Sequence, residues 1–212
     1  MTTIVNNSGN GKTVGVLALQ GGVAEHAQML ESLGAQVVLV KKAEHLHGLD
    51  ALILPGGESS TIDRLTRIFG VRDALREAII SGVPTLGTCA GLIMLAHTVD
   101  DPAPGQQTLD ILDISVDRNA FGSQVDSAET EVLWRGADEQ LHPVHAAFIR
   151  APRVSRVGQD VQVTAHHGGQ VVGVRQGNVM GISFHPELTG DTTIHRELLS
   201  MTNFKSSFCS LS

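Results

Sequence analysis

The run Pro84-Thr85-Leu86-Gly87-Thr88-Cys89-Ala90-Gly91-Leu92-Ile93-Met94-Leu95-Ala96 decides how this chain is read. An apolar stretch enters Gly-x-Cys-x-Gly and leaves into a second apolar stretch, the pattern of a strand, a sharp turn and a helix with a thiol standing at the turn. Small residues flank Cys89 because a tight backbone and an approaching substrate leave no room for larger ones. The helix that follows directs its positive end at the sulfur, which favours thiolate over thiol. Most free cysteines are merely small buried hydrophobes, and the two flanking glycines weigh against that role here.

Upstream, Thr13-Val14-Gly15-Val16-Leu17-Ala18-Leu19 is near-continuously apolar, as buried parallel strands are, and Gln20-Gly21-Gly22 ends it. Helical spacing follows over 23–33, where Val23, Ala27, Leu30 and Gly34 share a face. Residues 36–40 and 51–54 predict two more strands, the second stopped by Pro55-Gly56-Gly57. Helices over 61–69 and 71–80 lead to a fourth strand over 84–87. This alternation predicts an α/β fold, a three-layer arrangement of an open, mostly parallel sheet with helices on both faces. Residues 99–107 read as a surface loop. From 109 the chain becomes strand-rich, over 111–116, 129–134, 144–149 and 161–165, with a hairpin of 171–175 and 179–184 around Gln176-Gly177-Asn178. A last helix is expected over 192–201. One domain over 13–202 is thus expected between a flexible extension, 1–12, and a polar tail, 203–212.

Composition narrows the partners. The 212 residues carry a net charge of −7 and no basic run, which argues against nucleic acid. Aromatic residues are 3% of the chain, too few for base-stacking platforms. No signal-peptide pattern opens the sequence and no apolar stretch approaches the ~20 residues of a membrane span, so a cytoplasmic location is expected. The two cysteines, Cys89 and Cys209, make no disulfide framework. The histidines at 45, 47, 166 and 167 sit in polar stretches without cysteine pairs, so no metal site is expected. Ser8-Gly9-Asn10-Gly11-Lys12-Thr13 resembles the end of a phosphate-binding loop, but it precedes a strand instead of following one.

In an open α/β sheet the chemistry gathers at the carboxyl edge. Gln20-Gly21-Gly22, Pro55-Gly56-Gly57-Glu58-Ser59 and Gly87-Thr88-Cys89 all meet there, and His185 ends a later strand. A thiol nucleophile needs a base, and the base needs an orienting carboxylate. His185-Pro186-Glu187 supplies both, with Pro186 stiffening the turn. The candidate catalytic residues are therefore Cys89 as nucleophile, His185 as base and acid, and Glu187 as orienting group. Backbone amides of Gly57 and Ala90 are candidates for an oxyanion hole. Arg118 and Arg150, beside apolar strands, are surface cations or bidentate carboxylate clamps. His26, directly after Glu25, is ambiguous between packing and a role at the active edge.

These segments resemble the class I glutamine amidotransferases, a flavodoxin-like fold with a Cys-His-Glu triad. Within that class they resemble the glutaminase subunits of pyridoxal 5'-phosphate synthase, the PdxT/SNO family. The resemblance rests on Leu19-Gln20-Gly21 with Glu25-His26, Leu54-Pro55-Gly56-Gly57-Glu58-Ser59, Gly87-Thr88-Cys89-Ala90-Gly91, Arg118-Asn119-Ala120-Phe121-Gly122, Phe148-Ile149-Arg150-Ala151-Pro152 and Phe184-His185-Pro186-Glu187-Leu188. It implies hydrolysis of L-glutamine to glutamate and ammonia through a thioester on Cys89. It implies that Gly57, Glu58, Ser59, Arg118, Ile149 and Arg150 hold glutamine, with no cofactor. It further implies a barrel-shaped synthase partner (PdxS-like), one glutaminase per synthase subunit in a large ring, with Gln20-Gly21-Gly22 and the first helix as candidate docking elements. The chain departs from the family pattern at Ser60, Ser123 and Ala128, and residues 100–107 look like an addition. The alternatives are a glutaminase of another pathway, a γ-glutamyl thiol hydrolase, or a catalytically silent binding or redox-sensing module of the same fold.

Overall fold

A computed structural model of the chain describes residues 8–118 and 128–202. In chain order the elements are β1 (Thr13–Leu17), α1 (Val23–Ser32), β2 (Gln36–Val40), a 3-10 turn (Ala43–Leu46), β3 (Ala51–Leu54), α2 (Ser59–Ile68) and α3 (Arg72–Ile80). There follow β4 (Thr85–Thr88), α4 (Ala90–Leu95), β5 (Ala96–Val99), β6 (Leu112–Asp117), β7 (Ala128–Arg135), β8 (Leu141–Phe148) and β9 (Arg153–Val157). The chain closes with β10 (Gln162–His167), β11 (Gln170–Gln176), β12 (Val179–Ile182), α5 (Pro186–Thr189) and α6 (Thr193–Met201).

Ten strands form one mixed sheet, ordered β2-β1-β3-β4-β12-β11-β9-β6-β5, with β10 beside β11. The first five in that order are parallel, as the strand–helix alternation predicts. Beyond β12 the sheet turns antiparallel through β11, β9 and β6. For the consecutive strands β10, β11 and β12 the reason is connection length: tight turns such as Gly177 can join only antiparallel neighbours, whereas a parallel step needs a crossover. The strand-rich segment thus divides, most of it extending the main sheet and β7 with β8 forming a separate hairpin.

Two apolar cores lie on the two faces of the sheet. Leu52 and Leu54 of β3 point to the face covered by Ile62 of α2, Leu75 and Ile79 of α3 and Leu92 of α4. Ile53, one residue out of phase, points to the other face, with Leu30 of α1 and Ile194, Leu198 and Leu199 of α6. The β7–β8 hairpin closes this second face with Trp134, whose indole N–H donates to Glu197 Oε2 at 2.6 Å.

The strand order β2-β1-β3 places a switch point between β1 and β3, where the crossovers leave in opposite directions and open a crevice. The two loops there are bound together, Gly22 N–H donating to Gly56 O at 3.0 Å. Gly21 has φ +102, and a Cβ on it would overlap the Gly56 carbonyl, so both the turn and the contact require glycine. Ser8 and Gly9, at the start of the described residues, contact the domain. Gly9 is buried and donates to Leu33 O at 2.9 Å, and Arg196 donates to Ser8 Oγ at 3.0 Å. No helix among the described residues is long and apolar enough to cross a membrane.

Candidate active site

Cys89 sits between β4 and α4 with φ 49, a left-handed conformation costly for a residue with a Cβ and typical of a nucleophile's turn. The flanking glycines permit it. A Cβ on Gly91 would overlap Leu54 O of β3, and one on Gly87 would lie 2.6 Å from Leu95 Cδ1 and 2.7 Å from Gly91 O. Helix α4 is only six residues long and buried throughout, so the amides of its first turn matter here more than a macrodipole.

His185 follows β12, neighbour to β4, and this adjacency brings the ring to the thiol although they are 96 positions apart in sequence. Its backbone N–H donates to Ala147 O at 2.9 Å, fixing the turn against β8. Nδ1–H donates to Glu187 Oε1 at 2.7 Å, and the ring shares the cavity wall with Cys89. Pro186 opens α5 at a position that tolerates a missing N–H, which turns Glu187 back toward the ring. Burial alone would lower the His185 pKa. Interactions with the Cys89 sulfur and the Glu187 carboxylate outweigh it and raise the pKa to about 10.

A cavity of about 380 Å³ opens at the switch point, and Cys89, His185, Glu187, Gly57, Glu58, Ser59, Arg118, Ile149 and Arg150 all line it. Ala90 is buried behind Cys89 as the first residue of α4 and does not line the cavity. The Glu58 carboxylate caps α2, accepting from Thr61 N at 2.6 Å and Ser60 N at 3.2 Å. Desolvation opposes its ionisation, but these hydrogen bonds prevail and lower its pKa to about 2. Arg118 lies 3.3 Å from Glu58 and donates to Gln106 Oε1 at 2.7 Å. Arg150 has φ 44, a second strained residue on the rim. Asn119 to Gly122, Ser123 and Cys209 lie outside the described residues. So does the side chain of Ala128.

A family model described as the SNO glutamine amidotransferase family matches residues 16–203. The chain belongs to the SNO glutamine amidotransferase family. A protein of Kineococcus radiotolerans named pyridoxal 5'-phosphate synthase subunit PdxT is 52% identical over 87% of this chain and 91% of its own length. One of the same name from Acidothermus cellulolyticus is 50% identical over 91% and 94%. A crystal structure of a glutamine amidotransferase, 46% identical, superposes with a TM-score of 0.83 over 90% of this chain and 98% of its own. A putative GMP synthase subunit of Thermoplasma acidophilum, 19% identical with a TM-score of 0.65, shares the fold.

Within this family member the structure adds residues that sequence reading passed over. Gly56 is one, because a Cβ there would overlap the His185 ring. Gln20, read as a docking residue, accepts from Glu58 N at 2.9 Å through Oε1 and so braces the Gly57 loop. Gln106, in the loop read as an addition, donates to Ser59 Oγ at 3.0 Å while accepting from Arg118. Its signal would have been a polar residue ending a loop that returns over α2. His26, ambiguous in the sequence between packing and the active edge, and His195, which the sequence reading passed over, are both fully buried beneath Glu187. His195 was visible as a histidine among Ile194, Leu198 and Leu199 on the apolar face of the last helix. His45 is half-buried with its Nδ1 2.9 Å from Leu39 O, and His167 stacks on Phe148 at 4.8 Å.

The buried imidazoles predict an acid limit to stability. Desolvation lowers the His195 pKa from 6.5 to about 4, and His26 is lowered well below 6.5, first by desolvation and then by His195 and His185. Between these values the unfolded chain binds protons that the folded chain refuses, so stability falls as pH drops from 6.5 toward 4. His195 alone is expected to account for about 3 kcal/mol of that loss. Thermal melts should drop steeply across this window, and the drop should be shallower in His195→Gln; parallel curves would remove His195 as its source.

Proposed function

We propose that the chain is the glutaminase subunit of a pyridoxal 5'-phosphate synthase, and that Cys89, His185 and Glu187 hydrolyse L-glutamine in the cavity between β1 and β3. The observation that carries this reading is the meeting, in one cavity, of the Cys89 thiol with an imidazole hydrogen-bonded to a carboxylate. Two arginines and Glu58 stand on the rim, where the α-carboxylate and α-ammonium of an amino acid need partners.

The Cys89 sulfur, its proton held by His185, attacks the side-chain amide carbon. Amides of Gly57 and Ala90 receive the charge that develops on oxygen. The tetrahedral intermediate collapses as His185 gives its proton to the departing nitrogen, releasing ammonia and leaving a thioester on Cys89. His185 then takes a proton from water, the hydroxide attacks the thioester, and glutamate leaves with the sulfur restored. Glu187 holds the imidazole in the tautomer that faces sulfur with Nε2. Ser59 and Ile149 complete the pocket wall. Ammonia passes to a barrel-shaped synthase subunit, one glutaminase to each synthase subunit in a ring.

The test is co-elution of the chain with such a synthase, followed by formation of pyridoxal 5'-phosphate from a pentose phosphate, a triose phosphate and glutamine. Formation dependent on both proteins is expected. A synthase that uses ammonium salts but gains nothing from glutamine plus this chain overturns the reading. Gln106 makes the substrate assignment sharper. Gln106→Ala leaves Arg118 with Glu58 as its anchor among the described residues and is expected to raise the KM for glutamine about tenfold with kcat nearly unchanged. An unchanged KM would remove Arg118 from substrate binding.

A further inference from the structure

Behind the proposed triad lies a polar line that the reaction steps above do not use. His26 on α1 and His195 on α6 are both fully buried, with His26 Nδ1 2.9 Å from His195 Nε2. His26 Nε2 lies 3.2 Å from Thr88 Oγ1 and 3.4 Å from Glu187 Oε1, the oxygen that accepts the hydrogen bond from His185 Nδ1–H. We propose that His26 and His195 are positioning residues of the triad: His195 fixes the tautomer of His26, and His26 holds Glu187 Oε1 in place beneath His185. This rests on the triad reading given above and extends it from three residues to five.

Proton placement carries the inference. Both rings are neutral near pH 7, since desolvation disfavours their charged forms. One ring therefore donates to the other, and only two arrangements exist. In the first, His195 Nε2–H donates to His26 Nδ1, and His26 Nε2–H points at the hydroxyl oxygen of Thr88 and the carboxylate of Glu187. Every contact is then donor to acceptor. In the second, His26 Nδ1–H donates to His195 Nε2, and the bare Nε2 of His26 faces a buried carboxylate oxygen, lone pair against charge. His195 Nδ1 would then be a buried N–H, and among the described residues it has no partner. Orphaned buried N–H groups are rare and costly. The first arrangement is the favourable one, and it aims a row of imidazole donors at Glu187.

The consequence is mechanical. Glu187 Oε2 has no partner among the described residues, so the aim of the carboxylate depends on what touches Oε1. With His26 in place, Oε1 has the His185 Nδ1–H on one side and the His26 Nε2–H, 3.4 Å away, on the other, and in the proposed arrangement this second imidazole keeps it from following His185 away from the sulfur. Thr88 precedes Cys89, so the same N–H also touches the turn that carries the thiol.

Long-range proton–nitrogen NMR of the ¹⁵N-histidine-labelled chain reads each tautomer directly and needs no variant. The Nε2–H form is expected for both His26 and His195, and an Nδ1–H form on either overturns the proposal. Glutaminase assays with the synthase subunit give the second readout. His26→Leu is expected to lower kcat about tenfold with KM within about twofold, and His26→Gln, whose amide nitrogen reaches the Nε2 position, to restore most of it. Equal losses in the Leu and Gln variants, or wild-type kcat in both, would overturn it. Failure of the triad itself is separable, because a fully active His185→Asn sinks that reading while the tautomers stay as stated.

Discussion

Cys89→Ala and His185→Asn are each expected to slow glutamine hydrolysis by about ten-thousandfold or more, measured as ammonia release in the presence of the synthase subunit. That factor corresponds to about 5.5 kcal/mol of transition-state stabilisation. The two losses have different origins. Without sulfur no thioester forms, so mass spectrometry of the quenched Cys89→Ala chain should show no adduct. Without the imidazole the sulfur loses the group that takes its proton and the acid that expels ammonia. Glutamine binding should survive in Cys89→Ala, because Glu58, Arg118 and Arg150 are untouched, and calorimetric titration would show it. The double variant should be little worse than either single one, since the residues act as a unit. Hydrolysis that persists in Cys89→Ala would remove the nucleophile and with it the chemistry proposed for the cavity.

Much of this site is readable in sequence because its parts lie at strand ends. Leu54-Pro55-Gly56-Gly57 and Leu86-Gly87-Thr88-Cys89 announce an apolar run, a stop and a reactive residue, and a parallel sheet brings such stops to one edge. β2 and β3 match the expected ranges for the same reason, each being a short apolar run bounded by polar or turn residues. What escaped detection lacks that grammar. β9 reads Arg153-Val154-Ser155-Arg156-Val157, a half-exposed strand whose place is set by pairing with β6. β5, Ala96–Val99, follows α4 without a break residue, so it reads as the tail of a helix. The buried partners of Glu187 were hidden for another reason. His26 and His195 are 169 positions apart and meet only because α1 and α6 cover the same face of the sheet, a packing fact that no local pattern records. Gly56 likewise looks like one half of an ordinary turn until the His185 ring is placed against it.

That contact makes Gly56→Ala a change outside the triad that acts directly on its imidazole. The added methyl would overlap His185 Cε1 and stand 3.0 Å from Nδ1 and 3.3 Å from Nε2, closer than side chains ordinarily approach. One of two things must move. The ring is held by Nδ1–H to Glu187 at 2.7 Å and by its backbone N–H to Ala147 at 2.9 Å. The loop is held by Gly22 N–H to Gly56 O at 3.0 Å and by Glu58 N–H to Gln20 at 2.9 Å, and it carries the Gly57 amide. Either movement displaces a catalytic group, and a shift of about 1 Å costs on the order of a hundredfold in rate. The expected result is a folded chain, less stable by about 1–3 kcal/mol from overpacking, with kcat lowered about a hundredfold. Gly22→Ala supplies the contrast in the facing loop. Its Cβ would meet Glu25 Oε2 at 3.5 Å and Glu187 Oε1 at 3.8 Å, ordinary contact distances, so its rate should stay within about threefold of wild type. Wild-type turnover in Gly56→Ala would mean that the ring has room to spare, and that its position against the thiol is set by something other than this loop.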